Sequence, residues 1–194
     1  MAEFEKGRII ERDAAVGAKL LSMGMGKKGE EGVGLEWLEA AFLVERKLLQ
    51  VKEGQKVLTL DDLLAGPEKE KKKEKIEKEK APKTRTKSKN ADSLSAPSRA
   101  EQYRIYRAIR GGGRVVRFTS GSPLYWRVYE RGVGREQERP QMLYYIVTPE
   151  WSVSLSSLEQ QMQLARLLRL DLGLAFVRDG RTQMMRISRP PVEG

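Results

Sequence analysis

The chain has 194 residues, a length that suffices for one ordinary domain or two small ones. Of these residues, 39% are hydrophobic and 33% are charged. It contains no cysteine and no histidine, so disulfides, thiolate chemistry, histidine catalysis and the usual zinc sites are excluded. The formal net charge of +10 favours a polyanionic partner, RNA or DNA first, although charge that serves only solubility would give the same number.

The beginning of the chain reads MAEFEKGRIIERD and lacks the apolar core of a signal peptide. No apolar run approaches the roughly 18 residues that are needed to span a bilayer. We therefore expect a cytoplasmic protein without a membrane segment.

The N-terminal module is predicted over residues 1–65. Residues 7–11, GRIIE, have the composition of a short strand. The run 35–49 predicts a helix with one apolar face, made of Leu35, Leu38, Ala41, Phe42 and Leu49. A short last helix is predicted to begin at Thr59, because Asp62 follows it at the capping-box spacing.

Residues 66–98 form a Lys/Glu-rich segment with almost no large apolar side chains. Such a segment cannot bury enough surface to offset its ordering entropy, so we predict a linker. Alternating Glu and Lys over 68–80 would also suit a solvated helix, and the excess of positive charge would suit contact with phosphates.

The C-terminal module is predicted over residues 99–194. Its first helix begins at a capping box of Ser98 and Glu101 and ends at the glycines 111–113. Strands are predicted over 114–120, 124–130 and 142–148. A second capping box, Ser156 with Glu159, predicts a helix whose inner side carries Leu158, Met162, Ala165 and the stem of Arg169.

The chain is predicted to close with a hairpin, 172–178 and 182–188, around Asp179-Gly180. Helix, three strands, helix and two strands give a mixed sheet flanked by helices. Together the two modules predict an α/β (α+β) protein.

Several sequence blocks, in order, resemble the archaeal tRNA-splicing endonuclease (tRNA-intron endonuclease) family. They are LEWLEAAFLVERKLLQV, KVLTLDDLLA, YRIYRAIRGGGRVVRF, RVYERG, YYIV and QLARLLRLDLGLAFV. The resemblance covers nearly everything outside the linker. It implies a small N-terminal α/β domain and a C-terminal domain similar to restriction endonucleases.

The resemblance also implies metal-free RNA cleavage that leaves a 2′,3′-cyclic phosphate, carried out by a tyrosine, a histidine and a lysine. The tyrosine position falls on Tyr129, the histidine position on Met142 and the lysine position on Leu170. A base-stacking arginine position falls on Gln163. A thioether cannot transfer the proton and a leucine cannot neutralise a phosphorane, so we expect a non-catalytic, structural subunit that needs neither cofactor nor metal.

As the resemblance implies, the partners of such a subunit are a catalytic subunit of the same fold, in an α2β2 heterotetramer, and precursor tRNA. The expected interface residues are Met184, Met185 and Ile187 on the last strand, which would pair with a partner strand, and Asp179, which would enter a basic cleft. Two simpler interpretations stay open. The methionines would also suit a strand that faces its own core, and Asp-Gly is what a tight turn requires.

Two other functions compete with this one. The first is a free-standing RNA-binding module derived from a decayed nuclease, in which the linker and the pair Tyr103 and Tyr106 contact RNA. The second is an active nuclease that uses Tyr129 together with arginines.

Overall fold

A computed structural model describes residues 1–5, 7–66, 96–119, 122–130 and 140–187. The chain divides into two compact units, Met1–Ser93 and Leu94–Gly194. The predicted linker lies outside the described residues over 67–95. Helices and mixed sheets occur in both units, which confirms the predicted α/β fold class.

The N-terminal unit is built on a six-stranded mixed sheet with the order β3-β4-β2-β1-β5-β6. Its strands are β1 (Ala2–Glu5), β2 (Arg8–Glu11), β3 (Lys27–Lys28), β4 (Val33–Leu35), β5 (Val51–Glu53) and β6 (Lys56–Leu58). Its helices are α1 (Ala14–Ser22), α2 (Trp37–Glu45) and α3 (Leu60–Ala65). Strand β1 pairs antiparallel with β2 and parallel with β5, so it lies at the centre of the sheet.

The predicted helix over 35–49 is too long at both ends. Leu35 belongs to β4, because the helix begins only after Glu36, which forms a capping box with Glu39. The helix ends at Glu45, and Lys47 takes a left-handed backbone conformation with φ 56°. Leu49 lies in the loop that follows the helix, and its side chain is buried. The apolar spacing therefore marked residues of one core but not of one helix.

Two hydrogen bonds accepted by the buried Glu39 side chain fix the start of α2. This carboxylate is 3% exposed, and it accepts hydrogen bonds from the backbone N–H groups of Gly26 and Glu36, each at 3.0 Å. A buried carboxylate is tolerated when such donors satisfy it. Glu39 thereby ties the loop after α1 to the first turn of α2.

Helix α3 begins as predicted. Thr59 and Asp62 form the capping box, and Lys56 Nζ lies 2.5 Å from Asp62 Oδ1. The bond from Lys56, followed by those from Thr59, holds the pKa of Asp62 well below its ordinary value.

The C-terminal unit is built on a five-stranded sheet with the order β11-β10-β9-β8-β7. Its elements are α4 (Arg99–Gly111), β7 (Val115–Thr119), β8 (Ser122–Tyr129), β9 (Met142–Ile146), α5 (Leu155–Leu167), β10 (Asp171–Arg178) and β11 (Arg181–Ile187). Among the described strands of this sheet, β9 and β10 are the one parallel pair, and α5 connects them. Strands β7 and β11 are the two edges.

Helix α4 packs its aromatic side on one face of this sheet. The predicted capping box of Ser98 and Glu101 is confirmed. The ring of Tyr106 lies 5.9 Å from that of Phe118 and 6.2 Å from that of Trp126, which is fully buried. The predicted helix therefore covers β7 and β8 with its apolar side.

Helix α5 covers the other face, but its predicted start is wrong. Its N-cap is Ser154, whose Oγ accepts the backbone N–H of Ser157 at 3.2 Å; Ser156 and Glu159 lie inside the helix. The run SVSLSS offers several serines that can cap, and the backbone is still extended at Ser154. Ala165 is buried, and Leu158 and Met162 pack beside it as predicted. Arg169 lies beyond the helix, with φ 57°.

The predicted closing hairpin is confirmed. Arg178 pairs with Arg181 across Asp179-Gly180, and the register continues without interruption to Leu172 and Ile187. Asp179 and Gly180 have φ values of 51° and 72°, which define a type I′ turn.

Candidate functional site

The three positions that the resemblance associates with catalysis meet at one end of the C-terminal sheet. Tyr129 ends β8, Met142 begins β9, and Leu170 immediately precedes β10. Val128 is paired with Met142, which in turn is paired with Asp171. These positions are far apart in the sequence, and the order of the strands brings them to the same end of the sheet. Tyr129 and Met142 lie on opposite faces there, because Met142 is paired with Val128 and successive residues alternate.

The side chains of Met142 and Leu170 are apolar and lie on opposite faces of the sheet. Leu170 is 8% exposed and belongs to a core cluster with Leu143, Ala165 and Leu172 under α5. Met142 lies on the opposite face from Leu143, because successive residues of a strand alternate. Its Cε is 3.0 Å from the point that a Cβ on Gly173 would occupy. Neither side chain offers a proton or a charge.

Tyr129 and Gln163 complete the set of predicted positions. Tyr129 is half-buried at the end of β8 and is paired with Val115. Gln163 is exposed on α5. The neighbouring Gln161 does contact the sheet, where its Oε1 accepts a hydrogen bond from the Tyr125 hydroxyl. Burial raises the pKa of the Tyr125 hydroxyl, so it remains a donor.

A row of residues beside Met142 was missed by the sequence analysis. Tyr144, Gly173 and Arg186 occupy matching positions on β9, β10 and β11. The ring of Tyr144 lies over Gly173, and Arg186 Nη2 binds Asp171 Oδ2 at 2.6 Å. Burial raises the pKa of Tyr144, while Arg114 and Arg186 oppose that shift. A glycine inside a strand signals such a close approach, and Gly173 was the available clue.

Substituting Gly173 tests this packing. A Cβ there would stand 2.6 Å from Cδ1 and Cε1 of Tyr144, so Gly173→Ala should lower the free energy of unfolding by roughly 1–3 kcal/mol. Gly111→Ala is the matched control, because nothing lies within 4 Å of its Cβ position at the end of α4. That control should be neutral or stabilise by up to about 1 kcal/mol in thermal unfolding. Equal stabilities for the two variants would contradict the description of the Tyr144 ring.

The predicted interface residues lie on the hairpin at the sheet edge. Met184 and Met185 are 38% and 55% exposed, and they do not belong to a core. Ile187 is partly buried and packs against the cluster that contains Leu170. Asp179 occupies the turn, where Nη1 of Arg104 lies 3.8 Å from the Cβ position of Gly180. The strand therefore faces the chain's own core at Ile187 but not at the two methionines.

The aromatic pair of the competing RNA-binding interpretation is not available for stacking. Tyr103 is 4% exposed and Tyr106 is 1% exposed, and both face the sheet from α4. Among the residues that the structure describes, no group of three or more Asp or Glu side chains could hold a metal ion. No helix in the described part of the chain is long and apolar enough to cross a membrane.

Comparison with known proteins identifies the N-terminal unit first. Residues 1–64 match the family model for the tRNA intron endonuclease N-terminal domain. The chain is also 24% identical over 153 residues to a tRNA-splicing endonuclease of Thermococcus gammatolerans, covering 78% of this chain and 74% of the relative. The tRNA-splicing endonuclease of Thermococcus kodakarensis is 24% identical over 152 residues, with the same coverage. The chain is therefore similar to tRNA-splicing endonucleases over 78% of its length, and its N-terminal unit matches a domain model of that family.

Proposed function

We propose that this chain is a structural, non-catalytic subunit of a tRNA-splicing endonuclease. In this role it positions catalytic subunits for intron excision at bulge-helix-bulge sites in precursor tRNA in the cytoplasm. The observation that carries the proposal is the pair Met142 and Leu170 at the positions that resemble the catalytic histidine and lysine of the family. The burial of Leu170 supports it further, since a core side chain cannot reach a substrate phosphate.

The chemistry of the proposed reaction gives this observation its weight. Attack by a 2′-hydroxyl needs a base for that hydroxyl, an acid for the leaving oxygen and a cation for the crowded phosphorane. Tyr129 could serve in one proton transfer at most, and the sequence contains no histidine for the other. The catalytic groups must therefore come from another chain.

The edge strand β11 is the surface that we assign to the catalytic partner. An edge strand offers unpaired backbone groups, and an exposed apolar one invites pairing with a second chain. Met184 and Met185 are large, adaptable side chains on opposite faces of that edge. We propose that a catalytic subunit of the same fold extends the sheet here and that two such pairs form an α2β2 heterotetramer.

Asp179 is the second contact that we propose, between the two pairs of the tetramer. It stands at the tip of the hairpin, between Arg178 and Arg181. These cations and Arg104 lower the net negative charge that the turn presents. We therefore expect strand pairing to contribute the larger part of the association free energy, and Asp179 to hold the pairs together.

Asp179→Lys should reduce the tetramer to αβ dimers, because it would place like charges together in a basic cleft. Asp179→Asn is the sharper companion, since asparagine tolerates the left-handed turn conformation as well as aspartate does. If the charge matters, Asp179→Asn should also weaken the tetramer in sedimentation velocity. A tetramer that persists in both variants would leave Asp179 as a turn residue only.

The proposed function as a whole is tested by the mass of the assembly. Co-expressed with a histidine-bearing chain of the same fold, this chain should purify as a complex of two plus two subunits. A chain that stays monomeric beside that partner, yet binds precursor tRNA, would instead favour the free-standing RNA-binding module.

A further inference from the structure

The tip of the closing hairpin gathers three arginines around one aspartate. Arg178 and Arg181 are directly paired on either side of the turn, and both are exposed. Arg104 is exposed on α4 and reaches the same turn, where its Nη1 lies 3.8 Å from the Cβ position of Gly180. With Asp179 as the acidic residue of the turn, three cations and one anion give the tip a formal net charge of +2.

The guanidinium groups at this tip have donors to spare. Within the described part of the chain, none of the three arginines makes an ion pair or a side-chain hydrogen bond. Each guanidinium carries five N–H donors in a planar fork. The pair Arg178 and Arg181 also places like charges directly opposite each other, an arrangement that repels. An anion bound at the tip would use these donors and relieve that repulsion.

The composition of the C-terminal unit indicates which anion suits the tip. Residues 94–194 contain 16 arginines and no lysine against nine acidic residues, so the unit has a formal net charge of +7. A surface charge of this sign attracts a polyanion. The arginine fork matches the oxygens of a phosphate in a bidentate manner, whereas lysine acts as a point charge. Phosphodiesters therefore fit this surface better than scattered carboxylates do.

We propose that Arg104, Arg178 and Arg181 form a surface that binds the phosphodiester backbone of RNA. The choice of RNA rests on the proposed function, and the surface extends it by adding a contact that does not depend on base sequence. Arg178 and Arg181 lie on the α5 side of the sheet, in the alternation that includes Leu172, and Arg104 comes from the α4 side. The arginines thus flank the turn and leave its tip to the separate contact of Asp179.

The double variant Arg178→Gln/Arg181→Gln tests the surface in the isolated full chain. Its affinity for a ten-nucleotide uridine oligomer should fall about tenfold, and the slope of log K against log salt should flatten by about 1.4, or 0.7 for each phosphate contact. Its melting temperature should not fall, because the substitutions remove a repulsion. The control Arg8→Gln/Arg166→Gln removes two exposed charges elsewhere and should keep most of the affinity. An equal loss in both double variants would overturn the proposal.

Asp179→Asn provides a test of opposite sign. It removes the negative charge from the tip, so it should tighten binding of the same oligomer about threefold, although it should weaken the tetramer as stated above. Unchanged or weaker RNA binding by this variant would contradict the surface. If the two arginine substitutions spare RNA affinity but weaken assembly with the histidine-bearing chain, the tip binds an acidic protein surface and the RNA proposal is overturned. Because RNA binding is measured on the isolated chain, its failure is distinct from a failure to assemble.

Discussion

Met184→Pro should weaken association with the proposed catalytic partner about a hundredfold while leaving the fold of this chain intact. The two-residue turn places the Arg181 N–H in a hydrogen bond to the Arg178 carbonyl. Backbone N–H groups along an edge strand point alternately toward and away from the neighbouring strand. The N–H of Met184 therefore points away from β10, at the free edge of the sheet. Proline there removes the outward donor and puts a ring at the pairing edge, at a cost of about 3 kcal/mol or a hundredfold in affinity.

Met185→Pro is the matched control for that experiment. The same alternation turns the N–H of Met185 inward to Leu174 of β10, so this proline breaks a bond inside the chain. It should lower the melting temperature of the isolated protein, which Met184→Pro should not. Full assembly of the Met184→Pro variant would exclude β11 as the pairing strand.

The purified chain alone should not cleave an intron-containing precursor tRNA at any pH. General acid–base catalysis contributes about 10²–10⁴-fold to such reactions, and loss of a charge-stabilising group costs about 10²–10³-fold more. With methionine and leucine at these positions, the rate should lie at least about 10⁴-fold below that of a catalytic subunit. Single-turnover assays with excess protein and chelator would measure it.

Introducing histidine at Met142 and lysine at Leu170 should not create cleavage activity. Leu170→Lys would place an ammonium group in the cluster of Leu143, Ala165 and Leu172, and should destabilise the chain by on the order of 3 kcal/mol. Met142→His alone should fold, but its imidazole would lie beside the Tyr144 ring while Leu170 still supplied no charge at the lysine position. Cleavage by the double variant would show that the site had kept its supporting geometry.

Local sequence signals predicted much of the fold. The capping boxes at Thr59 and Ser98 marked helix starts, because one side chain and one backbone donor three residues apart suffice to form them. Asp179-Gly180 fixed the hairpin for the same local reason. The start of α5 was not predictable in this way, since four nearby serines compete as caps. Strand β1 was missed because its place between β2 and β5 depends on distant partners.

The sequence indicated which positions to compare with the family's catalytic residues, but it did not indicate what surrounds them in the fold. Motif order placed Tyr129, Met142 and Leu170, and the sheet brings them to one end. The burial of Leu170 depends on how α5 packs over β9 and β10, which no local pattern encodes. The close approach of Tyr144 to Gly173 depends on the register of β9 and β10. Such contacts join residues that the sequence separates, so only the folded chain reveals them.

The central claim is tested most directly by reconstituting cleavage of an intron-containing precursor tRNA. This chain, a histidine-bearing chain of the same fold and an equimolar mixture of the two should be assayed side by side without metal. We expect intron excision from the mixture and none from this chain alone, with activity rising to a maximum at equal amounts of the two. Cleavage by this chain alone, or activity of the other chain that is unchanged by its addition, would contradict the assignment as a structural subunit.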